Sequence, residues 1–139
     1  MENGYSGTPL AKKLGMRAGQ NAWQARMPTS VRRQIEVHVP GFKFAASIVS
    51  PIDFAHVFTK SRSELEEYLT LLRSVLAPAG ILWVSWPKKS SKVATDITED
   101  TIRDVALPLG LVDVKVCAVD ATWSGLELVI RRSLRQDTS

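Results

Sequence analysis

The strongest constraint on this chain is a strand–helix–strand pattern between Phe54 and Trp86. Phe54-Ala-His-Val-Phe-Thr59 is a short apolar run with the length and composition of a buried strand. Ser61-x-x-Glu64 follows as a capping box, and Glu64, Glu66 and Glu67 stand where the positive end of a helix favours carboxylates. Leu65, Tyr68, Leu69, Leu72, Val75 and Leu76 recur at helical spacing and form one apolar face. Ala77-Pro-Ala-Gly80 stops that helix, and Ile81 to Trp86 is a second apolar strand. Two buried strands joined by one helix are parallel, with a right-handed crossover.

The rest of the second half extends this unit. Pro87 ends the strand, and Lys88-Lys-Ser-Ser-Lys92 forms a cationic loop. Thr98 caps a further helix, with Glu99 and Asp100 in its first turn, Ile102, Val105, Ala106 and Leu109 on its buried face, and Gly110 at its end. Val112, Val114, Val116 and Ala118 alternate with Asp113, Lys115 and Cys117, the period of a half-buried strand. Leu126, Leu128 and Ile130 alternate in the same way with Glu127 and Arg131, which predicts an antiparallel hairpin at a sheet edge, joined through Asp120 to Gly125.

The first half is less regular. Thr8 and Pro9 suit the N-cap and first position of a short helix ending at Gly15. The pattern predicts a strand over Asn21 to Ala25, helix over Ser30 to Arg33 and a strand over Ile35 to Val39, with Phe42 to Val49 either strand or irregular core. The expected fold class is α/β: a Rossmann-like, methyltransferase-like three-layer sandwich, mostly parallel, with a C-terminal antiparallel hairpin. One domain over residues 1–134 and a frayed tail from Arg135 to Ser139 are expected.

With 139 residues and one cysteine, Cys117, the chain builds its core without a disulfide. No apolar run reaches membrane-spanning length, and Met1-Glu-Asn-Gly-Tyr-Ser-Gly7 lacks the apolar centre of a secretory signal, so a cytoplasmic location is expected. Charge is uneven. Residues 1–60 hold eight Lys and Arg against Glu2, Glu36 and Asp53, whereas residues 61–139 hold ten against eleven acids. Such an excess attracts phosphates or acidic partners, although no helix-turn-helix, zinc finger or aromatic RNA-binding motif accompanies it.

The order of elements resembles the C-terminal half of class I S-adenosylmethionine methyltransferases. More closely, Gly4-Tyr-Ser-Gly-Thr-Pro-Leu-Ala-Lys-Lys-Leu-Gly15, Trp83-Val-Ser-Trp-Pro-Lys-Lys-Ser-Ser91, Ala94-Thr-Asp96, Gly110 to Ala118 and Trp123-Ser-Gly-Leu126 resemble a bacterial family of small proteins classified only as a domain of unknown function. That resemblance implies the fold and no reaction. Residues 20–50 match it less well, and Glu127 stands where the resemblance implies a lysine.

The methyltransferase resemblance implies a glycine-rich cofactor turn after the first strand, yet Gln20 to Ser30 contains no glycine. Residues 20–53 are also too few for three strands with their helices, so a degenerate, cofactor-free relative is favoured and the cofactor is left unassigned. No catalytic set emerges. Ser85-x-x-Lys88 lies in a strand without companion motifs, Cys117 has no base beside it, and His38 and His56 are isolated and lack metal-ligand spacing.

The candidate site is instead a ligand-binding rim at the carboxyl ends of the strands. Lys88, Lys89 and Lys92 supply charge; Thr8, Ser90 and Ser91 supply hydroxyls; Tyr5, Trp86 and Trp123 supply apolar walls, with Ser6 and Ser124 beside them. An anionic small molecule or acidic protein segment suits such a rim. A methyltransferase-like enzyme and a nucleic-acid or protein-interaction module are the alternatives.

Overall fold

The computed structural model describes residues 8–135. Five strands form one sheet: β1 (Ala22–Ala25), β2 (Ile52–Phe58), β3 (Leu76–Pro87), β4 (Leu111–Ala118) and β5 (Trp123–Ile130). The helices are α1 (Leu10–Leu14), α2 (Thr29–His38), α3 (Arg62–Val75) and α4 (Glu99–Ala106). The strand order is β1-β2-β3-β5-β4. β1, β2 and β3 run parallel, and β5 is antiparallel to both β3 and β4.

The two strand faces sort the core into layers. Phe54, Phe58 and Trp83 pack under α1 and α2 with Leu10, Leu14, Val31 and Ile35. Leu82, Val84 and Trp86 point the other way, against Leu65, Leu69 and Leu72 of α3 and Ile102 and Val105 of α4. The result is the expected Rossmann-like sandwich. The hairpin is present, with one refinement. Its last strand lies inside the sheet, and β4 forms the edge. β5 is buried over Gly125–Leu128 and carries a single charge there, Glu127, whereas Asp113 to Val116 of β4, with two charges, are exposed. Charged residues blunt a sheet edge but are expensive in its interior, so the strand bearing Asp113 and Lys115 goes outside.

Local signals explain several helix ends. The Ser61 hydroxyl accepts from the Glu64 backbone N–H at 3.3 Å. The Glu64 carboxylate does not close the box; it accepts from Thr59 Oγ1 at 2.6 Å. Thr98 and Thr101 form a complete reciprocal cap at α4. Gly15 ends α1 at φ +79°, a left-handed conformation that a side chain would strain.

Two expectations need correction. Ile35 to Val39 is not a strand, because α2 continues to His38. Met27, Val31 and Ile35 are buried at intervals of four, a helical stripe, while Val37 is left exposed. Pro9, not Thr8, is the residue preceding the first helical turn of α1, and it makes no side-chain cap. Arg135, placed in the frayed tail, donates from Nε to the Ile130 carbonyl at 2.8 Å; residues 136–139 lie outside the described residues. Phe42 to Val49 takes the irregular alternative.

Gly80 is needed for close approach rather than for turning. β3 already begins at Leu76, which pairs with Ile52, and Ile81 pairs with Phe54, so extra residues are accommodated between. A Cβ at Gly80 would lie 2.9 Å from the Ile52 carbonyl and 3.0 Å from that of Ala77. Gly80→Ala is therefore expected to destabilise the fold by about 1–3 kcal/mol in urea unfolding, since backbone cannot swing aside as a side chain does.

Candidate functional site

The carboxyl end of β3 meets the tip of the hairpin. The Lys88 backbone N–H donates to the Thr122 carbonyl at 2.8 Å, joining the cationic loop to the β4–β5 turn. The Asp120 carboxylate shapes that turn by accepting from the Thr122 and Trp123 N–H groups, both at 2.8 Å. A short 3-10 turn, Lys89–Ser91, follows. The Ser91 hydroxyl donates to the Lys88 carbonyl at 2.7 Å and accepts from the Val93 N–H at 3.2 Å, so it staples the loop. Lys92 then adopts φ +62° and reverses the chain toward α4.

Between this loop and the start of α4 lies an open cleft of about 670 Å³. Trp86, Lys88, Lys89, Lys92 and Ser124 line one side of it, and Ile97, Thr98, Glu99, Asp100 and Arg103 line the other. Its lining carries four cations and two carboxylates. Arg103 is committed: it reaches Glu99 at 2.7 Å, Asp100 at 3.1 Å and Asp113 at 3.1 Å. The hydrogen bonds Arg103 donates to Asp113 and Glu99 raise its pKa. Among the described residues none of the three lysines is in an ion pair. Lys89 and Lys92 are exposed and Lys88 is half-buried. The cleft thus gathers three lysines beside Trp86, with the carboxylates of Glu99 and Asp100 already engaged by Arg103. An anion with an apolar body is matched to such a surface.

The remaining candidate residues are placed elsewhere. Trp123 lies on the opposite sheet face, packed edge-on against Phe58 at 5.2 Å, and does not share a wall with Trp86. Thr8 precedes α1 on that same far side and is not among the described lining residues. Ser90 is exposed on the 3-10 turn without lining the cleft. Tyr5 and Ser6 lie outside the described residues.

One contact escaped the sequence reading. His56 Nε2 lies 2.7 Å from Ser85 Oγ, and both residues are fully buried. The His56 ring stacks on Phe58 at 4.2 Å, and Nδ1 has no partner among the described residues. Burial pushes its pKa down to about 3, so the imidazole is neutral at pH 7. Among the described residues no carboxylate orients it, and neither side chain lines the cleft at the lysine loop. The only sequence signal was their shared strand face, which gives no pairing by itself. Glu127, the residue that departs from the resemblance, is 9% exposed, and burial raises its pKa while nearby Lys115 partly offsets this. Cys117 is a half-buried free thiol with its pKa raised by burial, which disfavours the nucleophilic form. No metal-type cluster occurs among the described residues, and no described helix is long and apolar enough to cross a membrane.

No family model matches the chain, and no characterised protein matches it by sequence. Solved structures do match in fold. The ribosomal protein L11 methylase of Lactobacillus delbrueckii superposes with a TM-score of 0.52 at 12% identity, covering 88% of this chain and 64% of the methylase. The magnesium protoporphyrin IX methyltransferase of Synechocystis, with bound S-adenosylmethionine, gives 0.56 at 13% identity over 87% of this chain and 74% of that enzyme. An S-adenosylmethionine-dependent methyltransferase of Clostridium acetobutylicum gives 0.53 at 9% identity, covering 81% of this chain and 76% of its own. This chain accordingly spans less than two thirds of the L11 methylase.

An open α/β sheet typically receives a nucleotide-like cofactor such as S-adenosylmethionine at the turn after β1. Arg26 follows the strand at φ +60° and pairs with Glu64 at 2.7 Å across the mouth of the turn. Met27 is buried, its N–H held by Gln24 Oε1 at 2.9 Å, and Pro28 opens α2. α2 leads through irregular chain directly to β2, so no intervening strand presents an acid to a ribose. These residues do not fit the cofactor in that position. The fold itself is Rossmann-like and of the methyltransferase type, with a sheet that is not purely parallel.

Proposed function

We propose that this protein is a degenerate methyltransferase-like protein that binds a small anionic ligand in the cleft between Lys88–Lys92 and the start of α4. The methyltransferase half of this reading is supported by fold likeness to S-adenosylmethionine-dependent enzymes. The anionic half is carried by one observation: Lys88, Lys89 and Lys92, none of them in an ion pair among the described residues, line one cleft with Trp86 at the carboxyl edge of the sheet. Ligands collect at that edge because strand ends and loops there expose backbone and side-chain donors without opening the core.

The test is a thermal-shift screen with pyrophosphate, ATP, S-adenosylmethionine and S-adenosylhomocysteine, followed by calorimetry on whatever stabilises the fold. The expected result is stabilisation by a phosphate-bearing compound that Lys88→Ala/Lys89→Ala reduces at least 10-fold in affinity, each charge-assisted contact contributing about 1.5–3 kcal/mol. Unchanged affinity in that variant rejects the cleft. A second reading, a methyltransferase that still takes its cofactor, is favoured by the identity of the structural neighbours. Millimolar S-adenosylmethionine giving no binding heat eliminates it; saturable binding that Arg26→Gly strengthens, by opening the turn after β1, establishes it.

A further inference from the structure

A second concave surface lies on the other side of the sheet. The hollow between α1 and the end of α2, of about 420 Å³, is lined by Lys12, Arg17 and His38 among others. Beside it a hollow of about 290 Å³ is lined by residues of the Gly19 and Gly41 turns and by Lys43. Val39 lines both, so they adjoin, and no carboxylate lines either one. Lys12, Arg17, Arg33 and Lys43 are all exposed. None of these four is in an ion pair among the described residues. Between residues 8 and 51 the only acid is Glu36. Gly19 and Gly41, at φ +87° and +79°, have open space where a side chain would stand, leaving backbone accessible at the groove.

We propose that this continuous basic groove on the α1–α2 face binds the phosphate backbone of a nucleic acid. Cations spread over two adjoining hollows are more than one phosphate can contact, but they match a ligand with repeated charges. The concavity argues for a ridge of phosphates over a planar bilayer, which would touch only the rim. Such binding rests on charge neutralisation and counterion release, without base reading. The groove lies on the opposite side of the sheet from the lysine-loop cleft, and this proposal is independent of that one.

The experiment is fluorescence anisotropy with a labelled 20-base-pair duplex and the matching single strand, at 50 and 200 mM salt. Three phosphate contacts, from Lys12, Arg17 and Lys43, predict that affinity for the duplex falls about 40-fold between the two salt concentrations. Arg17→Glu/Lys43→Glu is expected to lower affinity at 50 mM at least 30-fold with an unchanged melting temperature, whereas Lys88→Ala/Lys89→Ala leaves it within twofold. Absence of binding at 50 mM salt overturns the proposal. So does equal binding by the charge-reversed variant, equal loss in the lysine-loop variant, or tighter association with vesicles containing 30% phosphatidylserine than with either nucleic acid.

Discussion

Acidification from pH 7 to pH 4 is expected to destabilise this fold by about 3 kcal/mol through His56 alone. The unfolded chain binds a proton at His56 with a pKa of 6.5, whereas burial holds the folded value at about 3. Between those values the unfolded state carries more protons, so stability falls as pH falls. Above 6.5 both states are neutral and the effect vanishes; below 3 both are protonated and the loss is complete. The slope inside the window approaches about 1.4 kcal/mol per pH unit. Glu127 acts in the opposite direction, because a carboxyl whose folded pKa is raised favours the folded state as pH drops. The measurement is urea unfolding at pH 7, 5 and 4 for the wild type and for His56→Phe/Ser85→Ala. Glu127 is common to both proteins and cancels in the difference. The wild type should lose about 3 kcal/mol more than the variant; parallel profiles would show that His56 is solvated or charged in the folded protein.

Trp83→Ala is expected to cost about 3–5 kcal/mol, a large part of the stability of an ordinary domain. Trp83 is fully buried in the centre of β3 and packs under α1 and α2. Its indole N–H donates to the Leu14 carbonyl at 2.8 Å, satisfying a carbonyl at the end of α1 that the helix leaves unpaired. Truncation therefore opens a cavity and orphans a buried acceptor at once. Trp83→Phe separates the two effects, since it retains most of the ring and loses the hydrogen bond; about 1–2 kcal/mol is expected there. Thermal unfolding together with amide exchange over Leu10–Leu14 checks this. A variant that melts like the wild type, or one in which α1 stays fully protected, would contradict the role given to Trp83.

The local parts of the fold were legible because each is specified by neighbouring residues. Ser61 and Thr98 cap the helices assigned to them, and the Leu65, Leu69 and Leu72 stripe is buried where its period places it. Where two periods competed, the reading failed. Ile35-Glu-Val-His-Val39 alternates like a strand, yet Ile35 also continues the four-residue stripe from Met27 and Val31, and packing under β2 and β3 selected the helix. The site was legible in part for the same reason. Trp86 and the three lysines are sequence neighbours and share one cleft, whereas the opposing wall from Ile97 to Arg103 arrives only through the return of α4.

Alternating apolar positions and helix-end signals determined, by themselves, that this chain makes parallel strands crossed by a helix and a closing hairpin. They state which face of each strand is buried, but not which strand lies beside it. Only the tertiary structure decided that β5 inserts between β3 and β4, that His56 finds Ser85, and that Trp86 and Trp123 diverge to opposite faces. Side-chain direction is a property of one strand, whereas adjacency depends on how all five divide the buried area and where the charged edge can meet water.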